Sequence, residues 1–159
     1  MSYDLQAFIG PSDHFLKLFT GCSGVEVIGL NQGFSLIPVS EELFEIIHEG
    51  KPVSEISDFG GEVGISKDIE EFGRLSSKEG MLAYVNISYN GGHGFQLAMA
   101  WKNESVLFDL TVDSRQAPPG PDGAVNRALS SMGVVVANAV DEFSELQLGS
   151  QRETDDWLE

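Results

Sequence analysis

The stretch from Met81 to Leu110 carries the clearest alternation of apolar and polar positions in the chain. Its odd positions Met81, Ala83, Val85, Ile87 and Tyr89, then Phe95, Leu97, Met99 and Trp101, are apolar, and the even ones include Asn86, Ser88 and Gln96. That pattern predicts a half-buried hairpin. With Asn90-Gly91-Gly92-His93-Gly94 as the turn, Tyr89 pairs with Phe95, Ile87 with Leu97, Val85 with Met99 and Ala83 with Trp101. A second turn at Lys102-Asn103-Glu104-Ser105 brings Val106, Phe108 and Leu110 opposite Trp101, Met99 and Leu97. The expected unit is a three-stranded antiparallel meander presenting one apolar face.

Elsewhere the periods are shorter. Tyr3 to Ile9 alternates as a strand that Gly10 and Pro11 end, and Ser12 is placed to cap a helix over Asp13 to Thr20 with Phe15, Leu16, Leu18 and Phe19 as its apolar stripe. Val25, Val27 and Leu30 suggest a second strand, Asn31-Gln32-Gly33 a turn and Phe34 to Pro38 a third strand ending at its proline. Ser40 caps a helix over Glu41 to Glu49, with Leu43, Phe44, Ile46 and Ile47 inward. Residues 51–64 read as a loop. Ser66 caps a helix to about Lys78, with Ile69, Phe72 and Leu75 inward and Asp68, Glu70 and Glu71 outward; Gly73 weakens it by ~1 kcal/mol relative to alanine. Beyond the meander, Pro118-Pro119-Gly120-Pro121 excludes regular structure, and Asp122 is placed to cap a helix from Gly123 to Met132. Val134 to Ala137 reads as a short strand inside the sheet, and Asp141 caps a brief helical turn. The polar tail 149–159 would fray unless Trp157 docks it.

These elements predict an α+β fold: a single domain over 1–159, mainly antiparallel sheet, with a central three-stranded meander and about four short helices packed against it. A chain of 159 residues, 42% hydrophobic, is long enough to bury a real core. With no apolar run near the ~18 residues of a membrane span, and no charged-then-apolar N-terminal segment, a cytoplasmic protein is expected. The lone Cys22 has no partner for an internal disulfide and reads as a small hydrophobe.

Charge changes the picture most. The chain carries 25 acidic and 9 basic residues, a net charge of −16. Residues 41–80 hold 11 acids against 4 bases and residues 121–159 hold 8 against 2, whereas residues 81–120 hold 3 against 2. The meander is nearly neutral, and the acid lies before and after it. Such a field disfavours nucleic acid and anionic membrane as partners and speeds encounter with a basic protein. The nine basic residues form no patch that tracks a phosphate backbone.

The catalytic templates lack residues or spacing. No Gly-x-Ser-x-Gly elbow is present. Gly91-Gly92-His93-Gly94 lies between two expected strands rather than before a helix, and it lacks a P-loop lysine. His48 and Glu49 are adjacent, so they do not share a helix face as metal ligands would. The pairs Glu41-Glu42, Glu70-Glu71 and Asp155-Asp156 read as solvated faces. No metal, cofactor or catalytic residue is expected. His93 reads as a surface turn residue, with a partner contact and a catalytic base as the alternatives.

The opening Met1-Ser2-Tyr3-Asp4-Leu5, the run Leu30-Asn31-Gln32-Gly33-Phe34-Ser35-Leu36-Ile37-Pro38 into Ser40-Glu41-Glu42-Leu43-Phe44, the Gly91-Gly92-His93-Gly94 turn, and the ending Asp141-Glu142-Phe143 through Thr154-Asp155-Asp156-Trp157-Leu158 resemble a group of small acidic bacterial proteins. In size, charge and lack of catalytic residues the chain also resembles the cytosolic immunity proteins of bacterial polymorphic toxin systems. The resemblance implies a non-catalytic immunity protein that neutralises a cognate, basic toxin domain by covering its active site. Glu41, Glu42, Glu45, Asp68, Glu70, Glu71, Asp155 and Asp156 would supply the field, and His93, Phe59 and Trp157 the contacts. The alternatives are a small enzyme or ligand-binding domain using His93 and nearby carboxylates, or a self-association module.

Overall fold

The N-terminal alternation extends into a ten-residue strand, β1 (Ser2–Pro11), which Gly10 and Pro11 continue rather than end, pairing with Ser35 and Phe34. The computed structural model describes residues 2–48, 56–58, 64–90, 93–113 and 122–158. Within them follow α1 (Ser12–Phe19), β2 (Ile28–Gly29), β3 (Phe34–Pro38), α2 (Glu41–His48), β4 (Ile56–Asp58), β5 (Gly64–Ser66), α3 (Lys67–Ser76), β6 (Met81–Asn90), β7 (His93–Lys102), β8 (Ser105–Asp113), α4 (Ala124–Ser131) and α5 (Glu142–Glu145). The fold is α+β. One six-stranded antiparallel sheet runs in the order β2-β3-β1-β6-β7-β8, and β4 and β5 form a separate ladder. The meander β6-β7-β8 is one half of the large sheet. Residues 51–55, 59–63 and 114–121, which hold most of the expected central loop and all of the proline-rich one, lie outside the described residues.

The register of the meander differs from expectation by one residue. Asn90 pairs with His93, so only residues 91 and 92 separate the strands, and Val85 faces Ala98 while Tyr84 faces Met99. Because side chains alternate with period two, this slip moves Phe95, Leu97, Met99 and Trp101 to the face opposite Ala83, Val85 and Ile87. Glycine at 94 is required by the same register. A β-carbon there would lie 2.7 Å from the Tyr89 α-carbon. In β8, Val106 sits opposite Trp101 as expected, but two irregularities bring Phe108 opposite Ala100 and Val112 opposite Leu97.

The sheet is therefore apolar on both faces and covered on both. On one face Leu5, Ala7, Ile9, Ala83, Val85, Ile87, Ala98 and Ala100 pack with Ala124, Val125, Ala128 and Leu129 of α4 and with Leu146 and Leu148. Alanines on β7 meet alanines on α4, which lets that helix lie close to the sheet. On the other face Phe8, Ile37, Leu82, Tyr84, Leu97, Met99 and Trp101 pack with Phe15 and Phe19 of α1, Leu43 of α2 and Ile69 of α3. Aromatic contacts join these elements: Phe19 stacks on Phe72 at 6.0 Å, and Phe8 lies 5.1 Å from Phe72 and 5.3 Å from Tyr84.

Two expected elements change. Val134 to Ala137 forms no strand, because its backbone donors are taken by side chains: Val135 N donates to Gln32 Oε1 (3.0 Å) and Ala137 N to Glu145 Oε1 (2.7 Å). Only Val134 is buried, while Val135 and Val136 are exposed. Asp122 does not cap α4. The first donors of that helix reach instead to the sheet, Ala124 N to Asp113 Oδ2 (2.7 Å) and Val125 N to the buried Gln96 Oε1 (2.9 Å).

The tail does dock. The half of β1 that β3 does not reach is covered by the C-terminal segment, with Asp4 N donating to Arg152 O (2.7 Å) and Gln6 N to Thr154 Oγ1 (3.0 Å). Trp157, on a 3-10 turn over Thr154–Leu158, packs against the α4-side core with its indole N–H buried and without an acceptor among the described residues. Loss of that packing in Trp157→Ala is expected to cost about 2 kcal/mol. Trp157→Phe, which keeps the ring and removes the unpaired donor, is expected to hold stability or raise it by up to about 1 kcal/mol. Urea unfolding of the two variants checks this.

Gly73 has a packing reason that helix propensity does not reveal. A β-carbon there would lie 2.6 Å from Cη2 of Trp101, which is 1% exposed and has no room to retreat. Gly73→Ala is therefore expected to lose about 1–2 kcal/mol, although alanine favours a helix by ~1 kcal/mol. The loss should disappear in a Trp101→Leu background, measured by a double-mutant unfolding cycle.

Candidate functional site

α2 and α3 lie side by side on one face of the sheet, joined by a clasp. Each begins on a serine: Ser40 Oγ accepts from Leu43 N (3.2 Å) and Ser66 Oγ from Ile69 N (3.1 Å). At the end of α2, the His48 ring is 1% exposed. Its Nδ1 lies 2.8 Å from Phe44 O and its Nε2 2.8 Å from Ser66 Oγ. A carbonyl only accepts, so in the neutral ring Nδ1 carries the proton and Nε2 accepts from the Ser66 hydroxyl. A serine–histidine pair at this distance has the spacing of a nucleophile and its base, but here the hydroxyl caps α3 and both side chains are buried. The pair fixes α2 against α3.

That fixed pair presents the acid expected from the sequence. Glu41, Glu42 and Glu45 are exposed on α2, and Ile46, expected inward, is 48% exposed beside Glu42. Position 24, where the chain passes this corner, has φ +79°, a left-handed backbone conformation that favours glycine. Asp68 and Glu70 are half-buried on α3. Glu71 contributes less than expected, since its carboxylate takes Arg74 at 2.6 and 3.2 Å, and Arg74 also reaches Glu104 at 3.1 Å. Leu16 and Leu18 on α1 and Leu75 on α3, expected inside, are half exposed. Four of the large apolar side chains left in solvent thus sit on the three helices of this layer.

The remaining expected contacts lie apart from it. Asp155, Asp156 and Trp157 are on the docked tail, on the α4 side of the sheet. Trp157 packs inward, and Asp156 Oδ2 accepts from Glu153 N at 3.2 Å. His93 opens β7 opposite Asn90, at the far tip of the hairpin. Phe59 lies outside the described residues.

Perturbed titrations mark candidate chemistry, and here they mark structure. Burial pushes the phenols of Tyr3, Tyr84 and Tyr89 up; Tyr84 accepts from Gln6 Nε2 (2.6 Å), and Tyr3 donates to Leu148 O (2.7 Å). Glu145 is held below the ordinary carboxylate value by the backbone donors of Ala139, Asn138 and Ala137, which converge on Oε1, with Gln32 Nε2 3.3 Å from Oε2. No group of three or more metal-ligating side chains occurs among the described residues, and no helix among them is long and apolar enough to cross a membrane. Comparison with protein-family models, with curated proteins and with solved structures finds no match.

The Glu145 arrangement has a pH signature. A carboxylate whose folded pKa is lowered contributes stability above its unfolded value, near 4.5, and loses it as pH falls through the folded value. Glu145→Gln is expected to melt below the parent chain at neutral pH, with the gap closing towards about pH 3. Thermal melts of both proteins across that range measure it.

Proposed function

We infer that the chain is a non-catalytic binding protein of the immunity type, acting in the cytoplasm on a basic toxin domain whose active site it covers. The observation that carries this reading is the α2 face. Glu41, Glu42 and Glu45 are exposed on one side of a half-exposed Ile46, with Glu42 nearest to it, and a buried hydrogen bond between the His48 and Ser66 side chains ties the helix to α3. An exposed apolar residue flanked by charge suits a protein interface: the apolar contact supplies affinity, and the charge speeds encounter. Asp68 and Glu70 extend the same field from α3. Asp155 and Asp156 act from the opposite side of the sheet and add to the long-range potential rather than to the contact.

The reading predicts a gene for a large secreted protein with a toxic C-terminal domain immediately beside that of this chain, and the test uses that domain. Co-expression of the parent chain is expected to restore growth of cells making that domain, and Glu41→Lys, Glu42→Lys and Glu45→Lys combined is expected to abolish protection while leaving the fold intact. Association of the two purified proteins should slow about 10-fold or more between low and physiological salt. Full protection by the triple variant, or a salt-independent association rate, overturns the reading.

A further inference from the structure

The chain has few cations, and two of its nine Lys and Arg side chains meet in one place. A cleft of about 230 Å³ between α1 and the C-terminal end of α3 is lined by His14, Lys17, Leu18, Leu75, Lys78 and Glu79, with Ser76 at its base. Its walls are preformed. The His14 ring lies over Gly80, where a β-carbon would come 2.6 Å from Cε1, and His14 Nε2 lies 2.8 Å from Ser76 O. The stacked Phe19 and Phe72 rings hold the two helices together beneath it.

Three properties give the cleft a chemistry. Leu18 and Leu75 face it while 42% and 51% exposed, apolar surface left open by the described residues. Lys17 meets Glu79 only at 3.9 Å, with both side chains more than three-quarters exposed, and Lys78 has no ion pair among the described residues. In a molecule of net charge −16, the lining holds two ammonium groups and an imidazole against one carboxylate. The volume falls just below the ~300–1,000 Å³ usual for drug-sized ligands, so the occupant is small.

We propose that this cleft binds a small amphipathic carboxylate, its apolar body against Leu18 and Leu75 and its carboxylate at Lys17 and Lys78. The chemistry is shared by short fatty acids and by the C-terminus of a peptide ending in an apolar residue. The inference is independent of the α2 face, because its residues lie on α1 and at or just beyond the C-terminal end of α3. It also differs from a site at His93, which sits at the opposite end of β6, about 30 Å away at ~3.3 Å per residue.

Amide NMR titration of the full chain with hexanoate, N-acetyl-leucine, acetate and hexanol tests it. Hexanoate or N-acetyl-leucine is expected to give saturable shifts confined to residues 14–18 and 75–80, at least 10-fold tighter than acetate, which lacks the body, or hexanol, which lacks the charge. Tighter binding of hexanoate identifies the fatty-acid source, and tighter binding of N-acetyl-leucine the peptide terminus. Lys17→Gln and Lys78→Gln are each expected to weaken binding about 3-fold, as for an exposed ion pair. Glu79→Gln, which removes the competing carboxylate, is expected to tighten it. Leu75 is half exposed, so Leu75→Gln keeps the fold, checked by an unchanged melting temperature, and removes the saturable shifts. Absence of saturation at these amides, equal binding of acetate or hexanol, or binding unchanged in Leu75→Gln overturns the proposal.

Discussion

The structure depends on the pairing of β6 with β7. Once Asn90 faces His93, the large residues of β7 point to one side of the sheet and its alanines to the other, and β6 and β1 do the same with Leu82, Tyr84 and Phe8 against Val85, Ile87 and Ala7. No sheet with both faces apolar is stable in water uncovered, so helices must pack on each side. The two faces want different covers. The face of small residues takes α4, whose own alanines allow a close approach. The face of large rings takes α1 and α3, with Gly73 admitting Trp101.

The α4 layer is sealed by polar contacts over long sequence distances. Gln96 reaches from the sheet to the start of α4, while Asn126 donates to Asp141 Oδ2 (3.2 Å) and accepts from Phe143 N (2.7 Å). Gln32 and Glu145 hold the backbone of residues 135–139. A buried donor left without a partner costs about 1–3 kcal/mol, so Gln96 and Asn126 fix the helix ends that they satisfy, while Gln32 holds the exposed Val135 at the surface.

What the sequence makes legible follows from how local each cause is. Ser40, Ser66 and Asp141 cap as read, each bonding the donor three residues on, whereas Ser12 and Asp122 do not: Ser12 lies inside α1 with its hydroxyl against Ser35 Oγ, and the donors of α4 go to the sheet. The acids of α2 are exposed as read, because helical phase alone places them. The hairpin register was not legible by alternation: Leu82, Tyr84, Ala98 and Ala100 are apolar too, and a strand buried on both faces fits two registers equally well. The strand expected at Val134 fails for a distant reason, since Gln32 and Glu145 outcompete a ladder for its donors. Glu71 is taken out of the free acid by Arg74 three residues on, a local pairing, whereas the link from Arg74 to Glu104 spans 30 residues; Trp157 docks the tail as expected, and that packing removes it from the surface contacts.

The contrast between the layers bears on where a partner can bind. On the α4 side, buried polar side chains are committed to holding the chain together, and replacing one leaves another unpaired. On the other side, adhesion comes from rings and aliphatic side chains beneath α1, α2 and α3, with the His48–Ser66 pair as a buried clasp. The outward residues of these helices carry little of the fold. An exposed charge contributes at most a few tenths of a kcal/mol to stability, so Glu41, Glu42 and Glu45 are free to be set by what they meet in solution. Lys17 and Lys78 are free in the same way. A layer held from below by apolar packing can therefore keep the glutamates near Ile46 and the lysines near Leu75 on one surface without cost to the core.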